Sequence, residues 1–284
     1  KQNDSTHENY KNNYYMTGGV VGLLWNNSNE RYLICLNLDF NDLYIQASGT
    51  GGALVSLIDR GMIYANNCNA NNLTVEGGSR IGGFIGTADG KDANSGFFVN
   101  ANVPNASTTL NNIQIKQMGP NNSDKYNFAG GLIGGYWGSS IETYKDSSNK
   151  TINKASFIFN NITITSDNDN GSFIGCAAKE NKGYVGGIIG NDERSAGCVV
   201  KNCKIEKTNM YGYCVGGILG ANLMTTSDFD DFKNDSAGLR IVDCYIAGEL
   251  DEVTQMPKFV MSGSLAAGGI IGYDGDWKTN SELC

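Results

Sequence analysis

Histidine occurs once in 284 residues and proline 3 times. The lone His7 lies in a polar stretch beside Asp4 and Glu8, far from every acidic cluster, so a Ser-His-Asp arrangement has no base to draw on. No Cys-x-x-Cys occurs, and Cys198, Cys203 and Cys214 do not make a zinc pattern although they are close in sequence. Lys and Arg total 21 against 29 acidic residues, a net charge of −8, without a basic cluster; the footprint of a nucleic-acid binder is missing. Gly, Asn or a charge interrupts every apolar run before it reaches the roughly 18 residues of a membrane-spanning helix. The chain opens at Lys1 with no apolar leader, which leaves a removed signal peptide and a piece of something longer both open.

What is abundant is Gly, at 38 residues, together with Asn, a balance that suits tight turns between short strands. Eight Cys fit an oxidising compartment, with buried thiols as the alternative. Nine Asn-x-Ser/Thr sequons point toward a glycosylated surface protein, and of these Asn26, Asn105, Asn121, Asn149 and Asn234 fall in expected turns or loops.

A repeat organises the chain. Gly18-Gly19-Val20-Val21-Gly22, Gly82-Gly83-Phe84-Ile85-Gly86, Gly130-Gly131-Leu132-Ile133-Gly134, Gly186-Gly187-Ile188-Ile189-Gly190, Gly216-Gly217-Ile218-Leu219-Gly220 and Gly268-Gly269-Ile270-Ile271-Gly272 share one pattern. Gly51-Gly52-Ala53-Leu54-Val55 and Gly171-Ser172-Phe173-Ile174-Gly175 read as looser copies. Between them runs apolar-x-x-apolar-x-apolar: Leu33/Leu36/Leu38, Ala70/Leu73/Val75, Leu110/Ile113/Ile115, Phe159/Ile162/Ile164, Val200/Cys203/Ile205 and Ile241/Cys244/Ile246. Two short strand types with a period of about 30 to 40 residues, and no helical periodicity between them, predict parallel stacking of like strands. The glycines are expected at corners, where positive φ or close approach of neighbouring turns excludes a side chain. Asn72, Asn112, Asn161, Asn202 and Asp243, each just before a middle apolar residue, are expected to form one internal ladder.

The Gly-Gly-apolar-apolar-Gly units, each followed by a polar turn and an Asn-x-apolar strand, resemble the GLUG repeat of bacterial and protist surface and secreted proteins, from about Gly18 to Gly272. The resemblance implies a β-helix with a scaffold or adhesive role. The long loops after Gly134, Gly175 and Gly220 and the number of Cys depart from that family's pattern.

The expected architecture is therefore all-β: a right-handed parallel β-helix, or β-solenoid, of about seven coils over residues 16–284, with a polar lead-in over residues 1–15. The expected function is an extracellular or cell-surface, adhesin-like scaffold without enzymatic activity, meeting glycans, surface proteins or copies of itself. Two alternatives stay open, a β-helical carbohydrate-active lyase or hydrolase and a filament subunit stacking end to end. For the enzyme, paired carboxylates are needed; Asp228, Asp230, Asp231, Asp274, Asp276 and the run Asp192-Glu193-Arg194 are the clusters, and solvated acidic loops are the favoured reading of them. No cofactor is expected except a possible Ca²⁺ at Asp167 and Asp169, oxygen ligands in a tight turn that lacks EF-hand spacing. Trp25 and Trp137, each three residues past the last Gly of a motif, with Tyr136, Tyr273 and Trp277 in similar turns, are the expected contact aromatics. Cys176, Cys198 and Cys214, beside turns, are the expected disulfide cysteines, ahead of the stacked Cys203 and Cys244.

Overall fold

A computed structural model describes residues 16–25, 32–59, 61–90, 95–101, 103–119, 127–138, 143–145, 151–153, 157–176, 183–193, 198–222 and 239–274. Among these residues there are 32 strands and no helix. They fall into four sheets of stacked parallel strands, of 11, 7, 6 and 6 strands, plus one antiparallel pair, Thr143–Lys145 with Thr151–Asn153, inside a connection.

The chain visits the sheets in a fixed cyclic order. One pass runs from an opening strand, Thr50–Gly52 in sheet 1, to Val55–Asp59 in sheet 2, Gly61–Asn66 in sheet 3, Asn69–Asn71 in sheet 4 and a closing strand, Thr74–Gly77, again in sheet 1. Arg80–Gly82 then opens the next pass. Each pass thus holds five short strands, where the sequence pattern suggested two types. Sheet 1 takes both opening and closing strands because Thr208–Gly216 and Met261–Gly268 run through from one to the other.

Like strands stack in register, so like positions form rows. Leu54, Phe84, Leu132, Ile188 and Ile218 are the fully buried middle of one such row. Ile45, Val75, Ile115, Ile174, Met210 and Met261 form another. Inward rows from all four sheets meet in one main apolar core. Burying one such side chain contributes roughly 1.5–3 kcal/mol, and it is this core that holds three- to six-residue strands in place. Within it Phe97 packs against Phe159 (5.5 Å between centroids) and Tyr136 stacks on Phe157 (4.0 Å).

Gly18, Gly52, Gly82, Gly130, Gly186, Gly216 and Gly268 share one row at the bend between sheets 1 and 2. Their requirement is close approach, not positive φ: a Cβ on Gly130 would fall inside the carbonyl of Ile133, and one on Gly131 inside that of Gly187. Positive φ falls mostly on asparagine and aspartate, with Lys207, Gln255 and Gly171 among the exceptions. Asn37, Asn67, Asn100, Asn161, Asn202 and Asp243 adopt it at the bend between sheets 3 and 4, and Asp42, Asn72 and Asn112 at the bend between sheet 4 and the closing strands. The single internal ladder is therefore corrected to two ladders, and these run along the outside except at Asn100, which is fully buried. Asn72 Nδ2 donates to Asp42 Oδ1 (2.8 Å) and Asn112 Nδ2 to Asn72 Oδ1 (3.2 Å), while Asn72, Asn161 and Asn202 are exposed.

Two further sequence assignments change. Gly171–Gly175 is no copy of the bend; Ser172–Cys176 is a closing strand paired with Gln114–Gln117. Phe40, not Leu33, stands opposite Ala70, and Ile164, not Phe159, stands opposite Leu110, where two consecutive bends carry the same Asn-apolar signature five residues apart.

Candidate functional site

The outer face of the closing strands brings aromatic, charged and amide side chains together. Alternation places Ile45, Val75, Ile115 and Ile174 inward and turns their neighbours outward in two lines: Tyr44, Thr74, Gln114, Phe173, Asn209, and Gln46, Glu76, Lys116, Gly175, Tyr211. Successive members stand about 4.8 Å apart.

Glu76 is the electrostatic centre of this face. Its Oε2 accepts from the Tyr44 hydroxyl at 2.9 Å and its Oε1 from the Lys116 ammonium at 3.1 Å. The Tyr44 hydrogen bond holds the carboxyl below its ordinary range; burial opposes it, and the Lys116 contact adds to the lowering. The same bond raises the Tyr44 phenol above its ordinary range. Carboxylate and ammonium cancel, so the cluster is polar without net charge.

Beside it a recess of roughly 380 Å³ opens, with Gln46, Ser48, Glu76, Gly78, Met118 and Gly119 on its walls. Its floor is pinned by Gln117, whose Nε2 donates to the carbonyls of Gly78 and Gly119 (2.8 Å each) and to Asn127 Oδ1 (3.0 Å). Gln117 Oε1 and Asn127 Nδ2 are buried there without a hydrogen-bond partner. Two passes further along, Phe173 lies across Gly175, where a Cβ would strike its ring, and stacks on Tyr211 at 5.8 Å. Tyr44 is 56 % exposed and Tyr211 41 %.

The expected contact aromatics are placed differently. Trp25 and Trp137 do share a row, Trp25, Asp59, Asp89, Trp137, Glu193, three rungs apart. Trp25 is half-buried, and the Trp137 side chain lies outside the described residues, as does Trp277. Tyr136 must be corrected: it is 2 % exposed, an inward member of the core whose phenol is pushed well up, first by burial and then by Asp192 and Cys198 beside it. Tyr273 is half-buried against a small second cluster of Phe128, Tyr184, Cys214 and Ala221.

Among the other candidates, Asp192 is buried and Asp274 Oδ1 accepts from Asn222 Nδ2 at 2.9 Å; Asp228, Asp230, Asp231, Asp276 and His7 lie outside the described residues. Asp167 and Asp169 are exposed on a turn held by asparagines: Asn111 Nδ2 donates to the Asp167 carboxylate, and the Asp167 N–H donates to Asn112 Oδ1. No group of three or more His, Cys, Asp or Glu among the described residues is arranged to hold a metal ion. Asn105 is exposed on a turn, whereas Asn26, Asn121, Asn149 and Asn234 lie outside the described residues.

The disulfide expectation is also corrected. Cys176 and Cys198 are buried free thiols on different strands, as are Cys35, Cys68 and Cys203; Cys214 is buried on a third strand, and Cys244 is a half-buried free thiol. Burial drives the Cys176 and Cys198 thiols far up and Cys35 to about 11. Cys244 stands one rung from Cys203, and that neighbouring thiol, the largest cause, lowers it to about 7.

The closing-strand face was missed in the sequence because its alternation, Tyr44-x-Gln46 against Thr74-x-Glu76 and Gln114-x-Lys116, shows only once Phe40 is aligned with Ala70. Against protein-family models, curated proteins and solved structures, the chain has no match.

Proposed function

We propose that the chain is a right-handed parallel β-helix of about seven coils and serves as an adhesin-like scaffold, secreted or displayed on a cell surface, whose closing-strand face makes the contacts. The cyclic visiting of four parallel sheets supports the helix, and its hand follows from the right-handedness of crossovers between parallel strands. The GLUG resemblance and the exposed sequon at Asn105 support the location.

One observation carries the adhesive reading: an exposed face on which Tyr44, Glu76, Lys116, Phe173 and Tyr211 are fixed in register by a rigid core. A rigid face loses little conformational entropy on binding. Beads coated with the full chain should adhere to intact cells or to surfaces coated with cell-wall extract at least tenfold above beads coated with heat-denatured chain. Equal adhesion of both, or none by either, overturns the reading.

A second reading, end-to-end stacking, is favoured by one row. Val20 and Ile270 are 48 % and 41 % exposed, while the five residues between them are fully buried. Concentration-dependent rods in light scattering and electron microscopy would support it; a monomer at every concentration would remove it.

A further inference from the structure

We propose that the recess beside Tyr44, Glu76 and Lys116, continued along the same face to Phe173 and Tyr211, is a binding track for a neutral oligosaccharide. The proposal rests on the adhesive reading and names its ligand class.

Three features select that chemistry. First, the charges of Glu76 and Lys116 are spent on each other at 3.1 Å, so the recess holds donors and acceptors but no uncompensated charge to attract a sulfated or uronic chain. Each Glu76 oxygen still has a lone pair for a hydroxyl, Lys116 has two further N–H donors, and Gln46 adds an amide. Vicinal hydroxyls, each donor and acceptor at once, suit that mixture. Second, ring faces flank the polar stretch: Tyr44 at one end, and three rungs on, about 14 Å away, the Phe173–Tyr211 stack. Rings so placed can take the C–H faces of sugars, while the polar rungs between meet their hydroxyls.

Third, the alternatives lack purchase. A peptide adding as a strand needs a free sheet edge. The Thr74–Gly77 and Gln114–Gln117 strands are paired on both sides, so their main-chain groups are consumed and only side chains can read a ligand there; of the strands under the recess only Tyr44–Ala47 has an unpaired edge among the described residues, and it lies at one end of the track. A nucleic acid needs unpaired cations, and the cation of this face is neutralised.

The recess is also built to keep its shape. Gln117 ties Gly78 to Gly119 from below, and its own Oε1 is buried and unpaired. That oxygen can be satisfied by a water brought under a bound sugar.

The test is saturation-transfer NMR and calorimetry on the full chain with maltotriose, cellotriose, mannotriose, N-acetylchitotriose, a heparin-derived tetrasaccharide and trigalacturonate. We expect at least one neutral trisaccharide to bind with its ring protons saturated. Tyr44→Ala and Glu76→Gln should each weaken that binding at least tenfold, and Tyr44→Phe less than Tyr44→Ala because the ring remains. Far-ultraviolet circular dichroism and thermal unfolding should show these variants folded, since Tyr44 is exposed. Should Glu76→Gln loosen the fold, Gln46→Ala, whose side chain bonds to nothing else in the cluster, becomes the deciding variant. Preference for the anionic sugars, or neutral binding unaffected by all these variants, overturns the proposal. If Tyr44→Ala and Glu76→Gln beads keep full adhesion to cells while no neutral sugar binds, the track falls and the adhesive scaffold stands. If unaltered beads fail to adhere while a neutral sugar binds in the variant-sensitive way, the scaffold reading falls and the track stands.

Discussion

Gly131 and Gly269 occupy the same place in the bend between sheets 1 and 2, and the structure assigns them opposite tolerance. A Cβ on Gly131 would fall inside the carbonyl oxygen of Gly187 and against Ile164 Cδ1, and would lie 3.1 Å from Ile174 Cδ1. The isoleucine methyl can swing away, but the carbonyl belongs to backbone fixed by the parallel pairing of Gly130 with Gly186. Overpacking of this kind costs about 1–3 kcal/mol, and a backbone that cannot yield puts Gly131→Ala near the top of that range. In a chain of this size each kcal/mol moves Tm by roughly 2–4 °C, so a fall of about 6 °C or more is expected. Gly269 has no atom within 4 Å of its ideal Cβ position and no left-handed φ, so Gly269→Ala should leave Tm unchanged or raise it slightly through the less flexible unfolded chain. Thermal unfolding followed by circular dichroism, with urea midpoints as a check, measures both. Equal losses in the two variants would refute the close-approach account and return the glycines to a conformational role.

Asn112→Ala, at φ 55°, should cost about 1–2 kcal/mol in urea unfolding, and Asn112→Gly less; equal costs would mean the ladder bonds matter and the left-handed backbone does not. Native-state alkylation with iodoacetamide, read by peptide mass spectrometry, should label Cys244 before Cys176 or Cys198. Because its pKa is lowered to about 7, the rate should climb through pH 7 and level off above it, and Cys203→Ala should move that climb toward pH 9; labelling of Cys198 at a comparable rate contradicts the assignment. In glycopeptide mapping from a eukaryotic secretory host, Asn105 should be occupied and Asn72 and Asn161 bare. Their Nδ2 atoms, where a glycan would attach, donate to Asp42 Oδ1 and the Ala106 carbonyl, and a glycan on Asn161 would show that bond to be dispensable.

The bends of Gly and Asn were legible because each imposes a local demand that few residues meet. Which bend an asparagine served was not, since Asn67-Cys68 and Asn72-Leu73 present the same left-handed residue followed by an inward apolar one. Only pairing across passes separates them. Tyr136 misled for a different reason. Counting alternately from the inward Ile133 turns Tyr136 outward, yet alternation slips at Gly134 and the inward members are three apart, as with Val55 and Ile58 or Ile85 and Ala88. The outer face of the closing strands was hidden by that same pairing ambiguity, because exposed Tyr, Glu and Lys carry no pattern until their rungs are aligned.

The bend between the opening strand and sheet 2 spans two residues in all seven passes, whereas the link from sheet 2 to sheet 3 ranges from one residue at 60 to eighteen at 139–156. Rise per pass is fixed by the strand spacing, about 4.8 Å, whatever the contour length. Thirty residues separate Gly52 from Gly82 and fifty-six separate Gly130 from Gly186, yet both intervals add the same height. Chain length and stature are thereby uncoupled: new sequence inserted at the sheet 2 to sheet 3 corner adds girth, and only duplication of a whole pass makes the molecule taller. An engineer wishing to graft a foreign loop has a corner already used to varying lengths, and an engineer wishing for reach must copy the glycine bend intact.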